Sequence, residues 1–224
     1  VTSLYEARVV GADGSNGLGK FPMEFHDRAS SYCVAYFDEF LRAVKSVDLI
    51  EVERAAAILL DAYRTGALVF SCGNGGSAAI ANHLQCDHLK GVRTGTDLTP
   101  RVVSLSSNVE VLTAVSNDIG YDEVFSYQMQ AQGRPGDVLV AISSSGRSEN
   151  IVQAIQCAQR RGIRTIALTG FTGGPAKVLA DVAIHVDCTN YGVVEDLHQA
   201  IMHTMAQYVR QSRMTPDVIA TTTF

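Results

Sequence analysis

After Thr65 the chain settles into short apolar runs separated by helix-length segments, and this alternation is what most constrains its fold. The runs are Ala67 to Phe70, Val102 to Leu105, Val138 to Ile142, Thr165 to Leu168 and Val182 to Val186. Their apolar residues are consecutive rather than alternate, so a strand made from one would be covered on both faces. Helical segments begin near Ser77, Asn108, Ser148, Gly174 and Val193. Strands alternating with helices predict an α/β fold, a five-stranded parallel sheet between two helical layers. Ligands of such sheets bind beyond the C-terminal ends of the strands, which directs attention to the loops after Phe70 and Ile142. A chain of 224 residues, 46% hydrophobic and 18% charged, can bury such a core without disulfide or metal support.

Before Thr65 the pattern differs. Residues 1–22, with Gly11, Gly14, Gly17 and Gly19 and little periodicity, read as a flexible leader. Phe25, Tyr32, Val34, Phe37, Phe40, Leu41 and Val44 form a helical stripe from about Met23 to Val44, and a second helix is expected from Leu49 to Thr65. The expected organisation is a helical arm at 23–66 used in assembly, a ligand-binding domain at 67–213 and a flexible tail at 214–224. The formal charge of −5 offers no general attraction to nucleic acid or an anionic membrane. Five scattered cysteines without a Cys-x-x-Cys pair suit a reducing compartment. With neither a signal-like N-terminus nor a membrane-length apolar run, the expectation is a cytoplasmic protein.

Two loops carry the first chemical signal. Gly73-Asn74-Gly75-Gly76-Ser77 lets a ligand approach the backbone and opens into a helix, whose free N–H groups favour an anion. Ala78 in place of a third glycine excludes the dinucleotide fingerprint, and no Gly-Lys-Ser/Thr follows to make a nucleotide P-loop. Ser143-Ser144-Ser145-Gly146-Arg147-Ser148 brings four hydroxyls to the end of another strand and the start of another helix. Each loop alone also reads as a tight turn. Two of them after parallel strands point to a phosphate, and hydroxyls without a lysine suit a sugar phosphate and no nucleotide cofactor.

A second signal is a set of acid–base residues. His83 and Asp87, four apart on the helix after the first loop, share a face. Glu195 and His203 are eight apart on the last helix, about 80° around its axis, and the pair Asp196 and His203 competes with them. Such a set suits a zinc-like ion or general acid–base chemistry. His88, His198 and Cys86 read as packing or surface positions, Cys86 as core.

Cys72-Gly-Asn-Gly-Gly-Ser77, His83, Asn117-Asp118, Ser143-Ser-Ser-Gly-Arg-Ser148 and Leu168-Thr-Gly170 occur in an order that resembles the phosphoheptose isomerase branch of the sugar isomerase (SIS) domains, over roughly residues 30–213. The resemblance implies a three-layer αβα sandwich of flavodoxin/Rossmann-like type and a homotetramer with N-terminal helices used in assembly. It implies aldose–ketose isomerisation of sedoheptulose 7-phosphate to a heptose 7-phosphate through a cis-enediol. Phosphate contacts fall on Ser77, Ser143, Ser144, Ser145 and Ser148, and sugar contacts on Asn74 and Asp118. Asp87 and His203 become base and acid–base partner. His83, Asp87, Glu195 and His203 become the ligands of one Zn2+ per site. Asp87 and Glu195 stand where the family usually has Glu and Gln, and Ser144 and Arg147 where it has Thr and Asn. The altered acidic positions, with the segment Leu89-Lys90-Gly91-Val92-Arg93 that departs from the family's usual residues, admit an eight-carbon ketose phosphate from antibiotic-sugar assembly as an alternative substrate. A non-catalytic adaptor of the replication initiator and a sugar-phosphate sensor are the other readings. The retained acid–base residues argue against the adaptor, and the lack of a recognisable DNA-binding domain against the sensor.

Overall fold

The computed structural model describes residues 20–223. The expected leader therefore lies almost wholly outside the described residues. Helices α1 (Ala29–Val44) and α2 (Leu49–Thr65) precede strand β1 (Leu68–Gly73), and helix α3 (Gly76–Cys86) runs directly into a π-helical turn, Asp87–Val92. Then follow β2 (Arg101–Ser104), α4 (Val109–Asp118), a 3₁₀ turn at Tyr121–Glu123, α5 (Ser126–Gln132) and β3 (Val138–Ser143). The chain finishes with α6 (Glu149–Arg160), β4 (Arg164–Thr169), α7 (Gly174–Leu179), β5 (Val182–His185), α8 (Tyr191–Gln211) and α9 (Pro216–Thr221).

All five strands are parallel, in the order β2-β1-β3-β4-β5. The direction of winding reverses between β1 and β3, and a crevice opens there at the carboxyl edge of such sheets. The two serine- and glycine-rich loops are the segments that leave β1 and β3 at this edge. Strand β3 shows why the apolar runs had to be continuous. Val138, Val140 and Ile142 pack with Leu59, Leu84, Met202 and Met205 under α2, α3 and α8, whereas Leu139 and Ala141 pack with Phe70, Phe125, Ile151 and Ile155 on the other face. Both sides of the strand are core, giving the three-layer sandwich.

Several boundaries differ from the sequence reading. Helix α1 begins at Ala29 and not near Met23: Arg28, at its N-cap, makes no side-chain capping bond, and Met23 and Phe25 are exposed. The segment expected to be a flexible tail contains α9, with Pro216 in its first turn. Helix α5 spans seven residues, too short for a hydrophobic period to register. Among the described residues no helix is long and apolar enough to cross a membrane.

Candidate active site

The first loop is built around contacts that only glycine permits. A side chain at Gly76 would collide with the carboxylate of Glu195, whose Oε2 would lie 2.1 Å from an added Cβ. Gly76 opens α3, so Glu195 rests its carboxylate on the first turn of that helix. Ser106 pins the loop from the side: its Oγ accepts from the Gly73 N–H at 3.1 Å and donates to the Gly73 carbonyl at 2.9 Å. Asn74 is held by two residues that sequence reasoning missed. Its Nδ2 donates to Asn150 Oδ1 at 2.9 Å, while its Oδ1 accepts from Asn150 Nδ2 at 3.0 Å and from the Tyr121 hydroxyl at 2.8 Å.

The second loop turns at Gly146, where φ is 63° and an added Cβ would meet the Gly173 carbonyl at 1.8 Å. The Gly146 N–H donates to Ser143 Oγ and the Arg147 N–H to Ser145 Oγ, at 3.1 and 3.3 Å. Ser148 occupies the N-cap of α6 but its hydroxyl makes no capping bond. Ser144 Oγ is buried without any hydrogen-bond partner. A buried hydroxyl left unsatisfied is costly, and a ligand oxygen would relieve it. One pocket is lined by Asn74, Ser77, Ser143, Ser144, Ser145, Ser148, Tyr191 and Glu195. Arg147 turns away and donates to Thr172 Oγ1 at 3.1 Å. Asp118 is not in this pocket: it is exposed at the end of α4, where its Oδ1 accepts from Asn117 Nδ2 at 2.7 Å.

Helices α3 and α8 bring together the second group. Asp87 Oδ2 accepts from His203 Nδ1 at 2.7 Å, and Asp87 Oδ1 lies 3.2 Å from His83 Nε2. Between the two imidazoles sits Gln199, whose Nε2 is 3.1 Å from His83 Nδ1 and 2.8 Å from His203 Nε2. An amide nitrogen can only donate, so those ring nitrogens are acceptors and each neutral imidazole turns its N–H to Asp87. One donor atom from each of His83, Asp87 and His203 lies within 4.8 Å of the others. Two imidazole nitrogens and a carboxylate oxygen fit the ligand set of a catalytic zinc-type site.

Glu195, expected as the fourth ligand, is not in this cluster. Eight helical residues separate it from His203, about 12 Å along the axis, and it reaches the serine pocket instead. Gln199, one turn from His203, takes the place between the imidazoles. The rule that residues four apart share a helix face would have found it. Burial raises the Glu195 carboxyl above the ordinary range, and the neighbouring Asp196 adds to this. Asp196 itself points toward α1, where the Tyr36 hydroxyl donates to it at 2.6 Å.

His88 and His198 are fully buried packing residues. His88 hydrogen-bonds Tyr63 of α2 through Nδ1, and burial pushes its pKa down to about 4 against the pull of Asp87. Cys86, expected in the core, is exposed. The rotation that separates it from Asp87 carries it to solvent.

The chain matches the SIS domain family over residues 34–170. It is 38% identical to a phosphoheptose isomerase of Rhodospirillum rubrum over 186 residues, covering 83% of this chain and 97% of that protein. A phosphoheptose isomerase of Akkermansia muciniphila is 40% identical over 163 residues, 72% of this chain and 85% of its own. Among solved structures, phosphoheptose isomerase from Neisseria gonorrhoeae superposes with a TM-score of 0.75 at 33% identity, covering 81% of this chain and 98% of that one. With the sheet order, the paired loops and these relatives in agreement, the chain belongs to the phosphoheptose isomerase family of SIS-domain proteins.

Proposed function

We propose that the protein converts sedoheptulose 7-phosphate to a heptose 7-phosphate, with the phosphate held by the serine loops and the isomerisation carried out at Asp87 and His203. The observation that carries this reading is the pairing of a polar pocket containing an unsatisfied buried serine with a separate carboxylate–imidazole cluster, joined by α3 and α8. Ser77, in the first turn of α3, lines the pocket, and His83 and Asp87 lie at the other end of that helix. Tyr191 and Glu195 begin α8, with Gln199 and His203 one and two turns beyond Glu195. The rise from Glu195 to His203, about 12 Å, matches the scale of an extended seven-carbon chain.

In this reading Ser77, Ser143, Ser144, Ser145 and Ser148 donate to phosphoryl oxygens, and the backbone N–H groups opening α3 and α6 add to them. Asn74 is oriented by Asn150 and Tyr121 toward the sugar. Asp87 removes the proton on the carbon next to the carbonyl, giving a cis-enediol, and returns it to the adjacent carbon. His203 moves the hydroxyl proton the opposite way, so carbonyl and hydroxyl exchange places with no net change in composition. Gln199 keeps both imidazoles in the tautomer that turns N–H to Asp87. In the other tautomer, with the nitrogens that face Asp87 deprotonated, His83, Asp87 and His203 would hold a Zn2+, and such an ion would polarise carbonyl and hydroxyl oxygens. Glu195 is assigned to the sugar between the two ends. Asp118, exposed in one chain, would serve only where a second copy completes the site.

Assembly into a homotetramer through α1 belongs to the same proposal. Tyr32, Val34, Phe37, Leu41 and Val44 expose an apolar face along that helix, more than a solvated helix carries. Light scattering on the purified protein reads the subunit number. The enzymatic reading is tested by turnover of sedoheptulose 7-phosphate, with and without added zinc. Absence of turnover under both conditions would overturn it.

A further inference from the structure

We infer that Tyr191 contacts the substrate, closing the solvent side of the phosphate pocket, and that Phe171 positions it. The inference rests on the reading of the serine loops as a phosphate site and adds a residue that neither loop contains. Tyr191 is the first residue of α8, and its helix is started by Asn190, whose Oδ1 accepts from the Val193 N–H at 3.1 Å. The side chain lines the pocket together with Ser144 and Ser148, yet it is 60% exposed. A large aromatic side chain at the mouth of a polar pocket is not there to fill the core. Its ring packs on Phe171, centroid to centroid 4.6 Å at an angle of 52°.

Phe171 stands in an unusual place. It is the only non-glycine residue with positive φ among the described residues, at 51°. Bulky side chains avoid this left-handed region, and glycines occupy 170, 173 and 174 around it. Local preference would therefore place glycine at 171 as well, and the ring must be held by its surroundings. Two backbone bonds do so: the Phe171 N–H donates to the Cys188 carbonyl at 2.8 Å, and the Gly170 N–H donates to the Ser144 carbonyl, also at 2.8 Å. The second bond hangs the Phe171 loop directly on the serine loop. Serine loop, Phe171 and Tyr191 thus form one connected unit, in which serine hydroxyls and a largely exposed aromatic residue line the same pocket. A bound phosphate would be covered by that ring, and removing water from its outer side strengthens the hydrogen bonds beneath.

Steady-state kinetics on sedoheptulose 7-phosphate test the assignment. Tyr191→Ala should raise KM about tenfold and leave kcat within about twofold, the signature of lost uniform binding. Phe171→Ala should raise KM about threefold in the same manner, and Phe171→Tyr should restore it, since a ring again backs Tyr191. If Phe171→Ala folds poorly, Phe171→Gly removes the ring while keeping the left-handed backbone accessible. An unchanged KM in a folded Tyr191→Ala variant overturns the inference, as does a fall in kcat with KM unchanged. Ser145→Ala with Ser148→Ala separates the two readings. If that double variant leaves KM unchanged, the phosphate site itself is wrong. If it raises KM while Tyr191→Ala does not, only the role of Tyr191 falls. Inorganic phosphate binding by calorimetry on the same variants provides the comparison without turnover.

Discussion

Asp87 and His203 are 116 residues apart in sequence, yet Asp87 Oδ2 and His203 Nδ1 meet at 2.7 Å. The contact joins the end of α3 to the middle of α8, and in the proposed reaction it would align the base with the group that moves a hydroxyl proton. Asp87→Asn and His203→Asn should each lower kcat by about 10²–10⁴-fold, the usual weight of a positioned acid or base. Phosphate binding, assigned to the distant serine loops in the proposed function, should stay within about twofold in both. Kinetics paired with calorimetric titration of inorganic phosphate check the two halves together. Equal loss of binding and turnover would show that the two ends are not separate.

Gln199 donates to both imidazoles and so sets which nitrogen of each faces Asp87. Gln199→Leu keeps the helix and the approximate volume but removes that donor. The imidazoles are then free to adopt the other tautomer, and kcat should fall about tenfold with KM little changed. The ring-nitrogen NMR signals of His203 should move from a single tautomer to a mixture. An unaltered tautomer would remove the role given to Gln199.

The differences at the candidate site arise mainly from side-chain direction. The apolar runs located all five strands because burial on both faces leaves no other arrangement for Val138 to Ile142 or Thr165 to Leu168. Ser143 to Ser148 was legible because hydroxyls at the end of such a strand have no core role. The placing of Glu195 was not, since angular position around a helix does not reveal that its carboxylate lies two turns from His203 and over Gly76. Asn150 and Tyr121, which orient Asn74, lie 76 and 47 residues from it and carry no local pattern. The π-turn at Asp87 has no 3.6-residue signature to read.

Glu195 makes a charge-dependent prediction. Its carboxyl is raised by burial and by Asp196, so the folded state disfavours its ionised form. That contribution to stability is fully present below the unfolded carboxyl value, about 4.3, and is lost as pH rises through the higher folded value. Glu195→Gln should therefore melt higher than the parent protein at pH 7–8, with the gain vanishing near pH 4. The same variant removes a negative charge from the pocket proposed for the phosphate, so inorganic phosphate should bind a few-fold more tightly at neutral pH. Melting curves across pH and a phosphate titration test both effects, and a variant that melts lower at pH 8 would contradict the first.

His198 makes the opposite prediction at acid pH. It is fully buried, neither ring nitrogen makes a well-directed hydrogen bond, and burial pushes its pKa down to about 4, only partly offset by the backbone of Thr169. The folded chain keeps this imidazole neutral, while the unfolded chain protonates it below the ordinary imidazole value of about 6.5. The stability associated with the neutral form is complete above that value and is lost as pH falls from 6.5 through about 4. His198→Leu, similar in volume and without a proton to bind, should lose less stability on acidification than the parent. Between pH 7 and pH 4.5 the difference should reach ~2 kcal/mol in urea unfolding. The pH profile of kcat should be the same in both proteins, because His198 lies outside the pocket and the Asp87 cluster. Parallel acid limbs in the two unfolding profiles would show that His198 is protonated in the folded state or finds a partner there.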